Sequence, residues 1–166
     1  MPLTREIDLT HAPMTPLRRI LRQWESPPTW LLLFVVMAWL QARLLPIWNA
    51  GSVGNWLGAV FILAGVGLMI MSLRQFNRAH TTVMPREVAR VLITDGVYHW
   101  SRNPIYVADA LILTGLCLRW DIGTLIWVVA FVAVIERRFI RGEEAGLRAG
   151  FGAQFDEWAE KVRRWL

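Results

Sequence analysis

Long apolar stretches alternate along this chain with short, strongly charged ones. Mainly apolar residues occupy 29–48 and 56–73, and two runs of fourteen residues each follow at 105–118 and 122–135. A helix of about twenty residues crosses the hydrocarbon core of a bilayer, so the first two stretches are long enough to span it. The last two would each extend for about 21 Å as helix and span only if flanking residues join them. The pattern therefore predicts an all-α fold, a polytopic membrane helix bundle.

Four transmembrane helices are predicted, of which the last two are either full spans or a short hairpin that enters the bilayer and returns. Their expected positions are near residues 29–48, 56–74, 104–119 and 121–138. Residues 1–27 are polar and form a predicted arm, with a short interfacial helix from Pro16 to Trp24. Residues 28–166 form one membrane domain. In its tail, 139–166, apolar side chains recur every three to four residues, which predicts an amphipathic helix.

The eighteen lysines and arginines are distributed unevenly among the polar segments. Sixteen lie in the amino-terminal arm, the 74–104 loop and the tail after residue 135, and only Arg43 and Arg119 lie in the two opposite loops. Because cytoplasmic loops carry the excess of cations in membrane proteins, both termini and the central loop are predicted to be cytoplasmic. The net charge of +5 comes from clusters between apolar runs rather than from one basic face, so no nucleic-acid partner is expected.

The remaining composition narrows the class further. Apolar residues make up 55% of the chain and ten residues are tryptophan, which is unusual for a water-soluble domain. His11, His80 and His99 are scattered and show no paired ligand spacing, so no metal site is expected. No feature of the sequence indicates a protein partner.

Glycines interrupt the second apolar stretch at Gly58, Gly65 and Gly67. Lipid supplies no hydrophobic force between helices, so small residues that let two backbones approach closely favour helix association. Close packing against a neighbouring helix and simple tolerance of glycine in membrane helices both account for this pattern.

The densest group of chemically active side chains lies between Thr94 and Tyr106, where a polar loop meets an apolar run. Arg102 and His99 can donate hydrogen bonds to a carboxylate or phosphate, and Asn103 supplies an amide. The three aromatic rings are those of Tyr98, Trp100 and Tyr106. Pro104 suits the first turn of a helix, because its missing N–H needs no intrahelical partner there. Further along the chain, Glu143 and Glu144 can accept hydrogen bonds from an ammonium group or a ribose diol.

A pocket made of these two segments would suit a zwitterionic, adenosine-bearing ligand with a cationic centre. S-adenosylmethionine has these parts, since it joins an amino-acid head, a ribose and an adenine to a sulfonium that carboxylates and ring faces stabilise. The same residues also suit ordinary anchoring at a membrane interface, with rings among the headgroups, arginine extended to water and the glutamates solvated. From composition alone, anchoring is the favoured interpretation.

The spacing of these residues adds a resemblance to a known family. The first segment resembles the Gly-x-Tyr…Arg-His/Asn-Pro-x-Tyr signature of the membrane methyltransferases grouped with isoprenylcysteine carboxyl methyltransferase and phospholipid N-methyltransferases, through Gly96, Tyr98, Arg102, Asn103, Pro104 and Tyr106. The second resembles the family's Glu-Glu…Phe-Gly-x-x-Tyr-x-x-Tyr…Val-Pro-Arg ending, through Glu143, Glu144, Phe151, Gly152, Phe155, Trp158, Val162 and Arg164. The resemblance covers roughly residues 76–166, with both motifs in the family's order.

Three positions depart from the family pattern. Asn103 stands where the prenylcysteine enzymes carry histidine, a variant that resembles bacterial members, so a multi-pass protein of a bacterial inner membrane is expected. Phe155 and Trp158 replace tyrosines, which keeps rings for stacking but removes the hydroxyls. Arg163 replaces the usual proline, so the tail is predicted to stay helical to its end.

The resemblance implies a small helical membrane enzyme that binds S-adenosylmethionine at its cytoplasmic side. It would transfer the methyl group to a lipid or other lipophilic small molecule, either a phospholipid amine or an isoprenylcysteine-like carboxylate. The predicted cofactor-binding residues are Tyr98, His99, Arg102, Asn103, Tyr106, Glu143 and Glu144. The alternative is a non-catalytic membrane scaffold or lipid-binding protein, and a nicotinamide-dependent membrane reductase is a third candidate, for which the chain is short.

The predicted catalytic residues are Arg102, Asn103 and Asp109. Asp109 is included because a carboxyl group inside an apolar run is costly and by default marks a functional site, although it could instead be neutral or paired with Arg102 or Arg119. Glu136 is a further candidate, since on a continuous helix it would share a face with Glu143. An ion pair between Glu136 and a nearby arginine is the preferred interpretation.

Overall fold

The computed structural model describes residues 26–78 and 91–166. The predicted helix from Pro16 to Trp24, and all but the last two residues of the predicted arm, lie outside these ranges. The described residues form helices and connecting turns and contain no β-strand, which confirms the all-α class. The helices are α1 Pro27–Leu44, α2 Gly51–Arg78, α3 Pro104–Trp120, α4 Ile126–Ile135, α5 Arg141–Phe151 and α6 Ala153–Lys161.

Helices α1 and α2 are long and apolar enough to cross a membrane, with 18 and 28 residues respectively. Large apolar side chains remain exposed along both of them, including Leu32, Trp56 and Leu63, which are 62%, 76% and 71% exposed. Exposed apolar surface of this extent is unfavourable in water and suits contact with lipid. Helix α3 has 17 residues, so it is shorter than either.

Helix α3 lies at the centre of the bundle, where it packs against α1, α2 and α4. The main apolar core joins α1, α3 and α4 and continues just beyond α4. Its buried members are Phe34, Ala38, Tyr106, Leu113, Cys117, Phe131, Ile135, Phe139 and Ile140. A second, smaller core joins the short turn before α3 to α6, and its buried members are Ile93, Val97, Tyr98, Phe155, Trp158 and Val162.

Helices α2 and α3 approach each other closely at glycines. A Cβ atom added at Gly58 would lie 2.5 Å from the carbonyl oxygen of Gly115, and one added at Gly115 would lie 2.5 Å from the carbonyl oxygen of Gly58. Gly65 meets the carbonyl of Ala108 at 2.8 Å in the same way, whereas nothing lies within 4 Å of Gly67. Close backbone packing therefore accounts for two of the three glycines that the sequence singles out, and it does not account for Gly67.

At the end of α3, the buried carboxylate of Asp121 joins two connections of the chain. One oxygen accepts the backbone N–H groups of Ile47 and Trp48 at 2.9 and 2.7 Å, and the other accepts that of Gly123 at 2.9 Å. The backbone N–H of Ile122 also donates to the carbonyl of Trp48 at 2.9 Å. We call these residues the Asp121 junction, and they hold the α1–α2 connection against the α3–α4 connection.

At the opposite end, α4 continues without a break into α5 through one π-helical turn, Glu136–Ile140. Helix α5 ends at Phe151 and is followed by Gly152, whose φ of +53° is a conformation that glycine adopts at little cost. Helix α6 then runs back across the turn before α3 and ends at Lys161, and Val162 is extended. The prediction that the tail stays helical to its end is therefore wrong, because backbone atoms after residue 161 bind another segment, which is described below.

We expect Gly115→Ala to destabilise the protein by about 1–3 kcal/mol, because its new Cβ would collide with the backbone of α2. Unfolding in a mild detergent titrated with a denaturing one measures the change. Gly67→Ala is the matched control, since it adds the same methyl group on α2 in open space. The control should be neutral or up to about 1 kcal/mol more stable, because alanine favours helix over glycine. Equal losses in the two variants would contradict glycine-mediated packing of α2 on α3.

We expect Asp121→Ala to cost about 1–3 kcal/mol of unfolding free energy, because it leaves the backbone donors of Ile47, Trp48 and Gly123 without their acceptor. Asp121→Asn keeps the shape and one acceptor oxygen, so its loss should be smaller. The same detergent titration ranks the two variants against the wild type. If alanine and asparagine behave alike, the hydrogen bonds of the Asp121 junction contribute little.

Candidate functional site

The turn that enters α3 is bound by the last residues of the chain. Arg102 donates its backbone N–H to the carbonyl of Arg163 at 2.9 Å. The Asn103 side-chain amide donates to the carbonyl of Arg164 at 3.0 Å, and the Ser101 hydroxyl donates to the same oxygen at 3.3 Å. Pro104 begins α3 at the position where a missing N–H is tolerated. The 101–104 turn is therefore hydrogen-bonded to the backbone of the tail.

One turn into α3, Tyr106 connects the first motif to the second. Its side chain is buried, and its hydroxyl donates to a carboxylate oxygen of Glu143 at 2.8 Å. A hydrogen bond to a carboxylate is shorter and stronger than one between neutral groups. The two segments that the sequence singles out as halves of one site are therefore in contact.

An ionic cluster lies beside this contact. Arg164 binds Glu144 with two nitrogens, Nε at 3.1 Å and Nη2 at 2.7 Å, and it also donates from Nη1 to Glu136 at 3.0 Å. Arg102 approaches Glu144 from the other side, with its Nη2 at 3.4 Å from Oε1. Glu136 accepts two further bonds, from Arg141 at 3.2 Å and from the Trp165 indole N–H at 3.3 Å. These contacts agree with the preferred interpretation of Glu136 as an ion-pair partner.

The buried carboxylate of Glu144 is the centre of this cluster. Its side chain is 8% exposed, and two arginines share its charge. The hydrogen bonds and the charge that Glu144 contributes raise the pKa of Arg164, in opposition to the effect of burial. A buried carboxylate in this setting is tolerated because both of its oxygens are bonded to cations.

Arg102 is held less completely than Arg164. Burial lowers the pKa of its guanidinium, while the neighbouring charge of Glu144 acts in the opposite direction. Its side chain is 13% exposed, and its Nε is buried without a hydrogen-bond partner among the described residues. An unfilled buried donor on a cation is costly unless an acceptor binds it. The Nε of Arg102 is therefore an unsatisfied donor, of the chemical kind that a carboxylate or phosphate satisfies.

The structure separates the remaining predicted ligands into different environments. Tyr98 is buried in the second core, where its ring packs edge-on against Phe76 at 5.8 Å between centroids. Burial raises the pKa of Tyr98, and the charge of Glu143 raises it further. His99 and Trp100 are exposed and none of the described contacts ties either side chain to the cluster. The structure thus brings together Arg102, Asn103, Tyr106, Glu143 and Glu144, with Tyr98 behind them, and leaves His99 outside.

Asp109 lies one helical turn beyond Tyr106 and is buried, with 5% of its surface exposed. No described residue forms an ion pair with it, so the suggested pairing with Arg102 or Arg119 is not present in residues 26–78 and 91–166. Within the same ranges, no group of three or more His, Cys, Asp or Glu side chains could hold a metal ion.

Sequence reasoning assigned no role to Arg164, although the residue carries part of the second motif. Its position in the linear sequence gave no sign that it would return to the 101–104 turn. The π turn was also missed, and it changes which carboxylates align. A π turn adds one residue to the helix, so Glu136 and Glu144 meet the same guanidinium, and the expected shared face of Glu136 and Glu143 is wrong.

Comparisons with known proteins agree with the motifs. A family model described as phospholipid methyltransferase matches residues 53–154. Two curated relatives, each named probable protein-S-isoprenylcysteine O-methyltransferase, come from Oryza sativa subsp. indica and subsp. japonica. Each is 31% identical to this chain over 123 residues, which is 68% of this chain and 60% of the relative. The chain thus matches less than two thirds of the length of these relatives, and no solved structure matches it significantly.

The family match covers more than half of the chain and includes α2, α3, α4 and α5, together with Arg102, Tyr106 and both glutamates. It ends before Arg164, so the tail that binds the 101–104 turn lies beyond it. These findings confirm the resemblance read from the two motifs. The chain belongs to the phospholipid methyltransferase family.

Proposed function

We propose that this protein transfers a methyl group from S-adenosylmethionine to a lipophilic acceptor at the cytoplasmic face of a membrane. The observation that carries the proposal is the contact between the two motifs, in which Tyr106 binds Glu143 and Arg102 approaches Glu144. Family membership supports an enzymatic role for these residues. Simple anchoring at an interface would leave such side chains solvated, whereas Tyr106 and Glu144 are buried.

The residues around Arg102 fit S-adenosylmethionine chemically. The unfilled Nε of Arg102 would bind the carboxylate of its amino-acid head. Glu143 would favour its ammonium and sulfonium charges, and Glu144 would act through Arg102, to which it is bound. Asn103 would act mainly by holding the turn, since its amide is bonded to the tail. When bound, the cofactor supplies a methyl group that is already electrophilic.

The protein's contribution to methyl transfer is therefore alignment and exclusion of water. The acceptor would take the methyl group from the bound cofactor, which would leave as a neutral thioether. Side chains fixed by hydrogen bonds hold the reacting atoms in line, which is the main source of rate in such displacements. A buried setting also keeps water from competing as acceptor.

The membrane arrangement is also part of the proposal. Family membership and the apolar helices α1 and α2 indicate a membrane protein. We propose four spans within one domain of residues 28–166, with α3 and the continuous α4–α5 helix as the last two, and both termini in the cytoplasm. The cation-rich end of the bundle, which carries the ionic cluster, would then face the cytoplasm. An acceptor would enter sideways from the lipid.

Arg102→Ala should weaken binding of radiolabelled S-adenosylmethionine to the purified protein by at least about tenfold, because a charge-assisted bond of about 1.5–3 kcal/mol is lost. Glu144→Ala should have a similar effect, since it leaves Arg102 and Arg164 without their shared anion. Equilibrium dialysis in detergent gives the dissociation constants. Arg43→Ala and Glu157→Ala remove the same charges at exposed positions and should bind normally. Unchanged binding in both site variants would contradict the assignment of Arg102 and Glu144 to the cofactor site.

Membranes containing the protein should incorporate label from methyl-labelled S-adenosylmethionine into an extractable lipid fraction, whereas membranes with Arg102→Ala should not. Alkaline hydrolysis then identifies the bond, because a methyl ester releases volatile methanol and an N-methyl group keeps its label. Stable label indicates a phospholipid amine, and labile label indicates a carboxylate. Cofactor binding without any lipid labelling would contradict a lipophilic acceptor.

Asp109→Asn tests whether a base takes part in the reaction. An amine acceptor must lose a proton, and Asp109 is the buried carboxyl group nearest along α3 to the predicted cofactor ligands. With such an acceptor we expect kcat to fall by about a hundredfold or more, while the cofactor dissociation constant stays unchanged. A carboxylate acceptor needs no base, so the variant should then retain most of its activity. A large fall in kcat together with alkali-labile product would contradict this role.

A further inference from the structure

The strongest unexplained feature is the density of bonds around Arg164, a residue outside the predicted site. Its carbonyl accepts the Ser101 hydroxyl and the Asn103 amide, and its guanidinium binds Glu144 and Glu136. One residue therefore holds the 101–104 turn with its main chain and the α4–α5 helix with its side chain. We call this set of contacts the Arg164 clamp.

The clamp depends on the π turn between α4 and α5. Eight residues separate Glu136 from Glu144, and in a regular α-helix these two would point in directions about 80° apart. The extra residue of the π turn brings both carboxylates to the same guanidinium. A local irregularity that costs helix hydrogen bonding is thus coupled to a specific ionic contact, as is common for π turns at functional sites.

The carboxylate of Glu144 is already occupied by contacts within the protein. Both of its oxygens accept from Arg164, and Oε1 also faces Arg102 at 3.4 Å. Arg102, by contrast, retains a buried Nε without a partner. The contacts therefore connect Arg164 through Glu144 to Arg102. Of these three residues, Arg102 is the one with an unsatisfied donor.

We propose that Arg164 is a positioning residue, which acts through Glu144 to orient Arg102 toward the carboxylate of the cofactor. This inference rests on the proposed function and deepens it, because it separates Arg102, as a direct ligand, from Glu144 and Arg164, which hold it in place. Arg164 fixes Glu144 on one side, and Glu144 holds the guanidinium of Arg102 on the other. The carbonyls of Arg163 and Arg164 fix the backbone that carries Arg102.

A purely architectural role for Arg164 makes a different prediction from a positioning role. If Arg164 only stabilises the fold, its loss should weaken every ligand of the site alike. If it orients Arg102 toward a carboxylate, its loss should affect only ligands that have one. 5′-Methylthioadenosine supplies the test, because it keeps the adenosine and the sulfur of S-adenosylmethionine and lacks the amino-acid head.

We expect Arg164→Gln to raise the dissociation constant of S-adenosylmethionine about tenfold or more and to leave that of 5′-methylthioadenosine within about twofold. Arg164→Lys should give an intermediate loss for S-adenosylmethionine alone, because lysine keeps the charge without the two-pronged contact. Lys161→Gln removes one positive charge from an exposed position nearby and should change neither constant. Equilibrium dialysis of the full chain in detergent measures all of them, and a thermal melt shows whether each variant is folded.

Glu144→Gln tests whether Arg164 acts through Glu144. Because Arg164 is proposed to act through Glu144, combining Arg164→Gln with Glu144→Gln should weaken S-adenosylmethionine binding little more than either change alone. Additive losses, equal losses for both ligands, or unchanged binding by Arg164→Gln would each overturn the positioning role and leave the proposed function standing. Failure of the wild type to bind S-adenosylmethionine would overturn both. If Arg164→Gln does not fold, the lysine variant decides between the two roles by the same comparison of ligands.

Discussion

The close approach of α2 to α3 is the constraint on which the rest of the arrangement depends. Backbone carbonyls at Gly58 and Gly115 lie where side chains would otherwise stand, so the two helices cannot slide or rotate without a collision. Once α3 is fixed in this way, its two ends are fixed as well. The Asp121 junction forms at one end, and the 101–104 turn is presented at the other. The site is therefore precise because the helix that carries it is held along its length.

The electrostatics of the site follow from burial. Two carboxylates and two guanidinium groups lie close together, and each is bonded to a group of opposite charge. Glu144 and Arg102 are largely shielded from water, whereas the side chains of Arg164 and Glu136 are 33% and 25% exposed. Removing one member of such a cluster leaves its partner charged and unsolvated, which costs more than the intact contact contributes. This coupling makes the residues act as a unit. It also means that the residue nearest the ligand need not be the one whose loss is most damaging.

The sequence predicted the helical class and the two long apolar helices, because hydrophobic length is a local property that a single chain displays directly. It also predicted that the 102–106 segment and Glu143–Glu144 would meet, since two spaced motifs limit how the chain can fold. It did not predict that Arg164 would occupy Glu144, or that His99 would lie outside the cluster. Those features depend on the position of the tail relative to the 101–104 turn. The spacing of apolar residues in the sequence does not indicate that position. The π turn was not predicted for a related reason, since its one extra residue leaves the pattern of apolar positions nearly unchanged.

That extra residue has a consequence for how the site responds to a change of helical register. If the same residues formed a regular α-helix, everything after the π turn would rotate by about 100°, and Glu144 would move away from the tail. Glu143 would take its place, because it precedes Glu144 by one position. The adjacent pair thus offers a carboxylate to the tail in either helical register. Two neighbouring glutamates are, in this sense, a form of redundancy against conversion of the π turn to a regular α-helical turn.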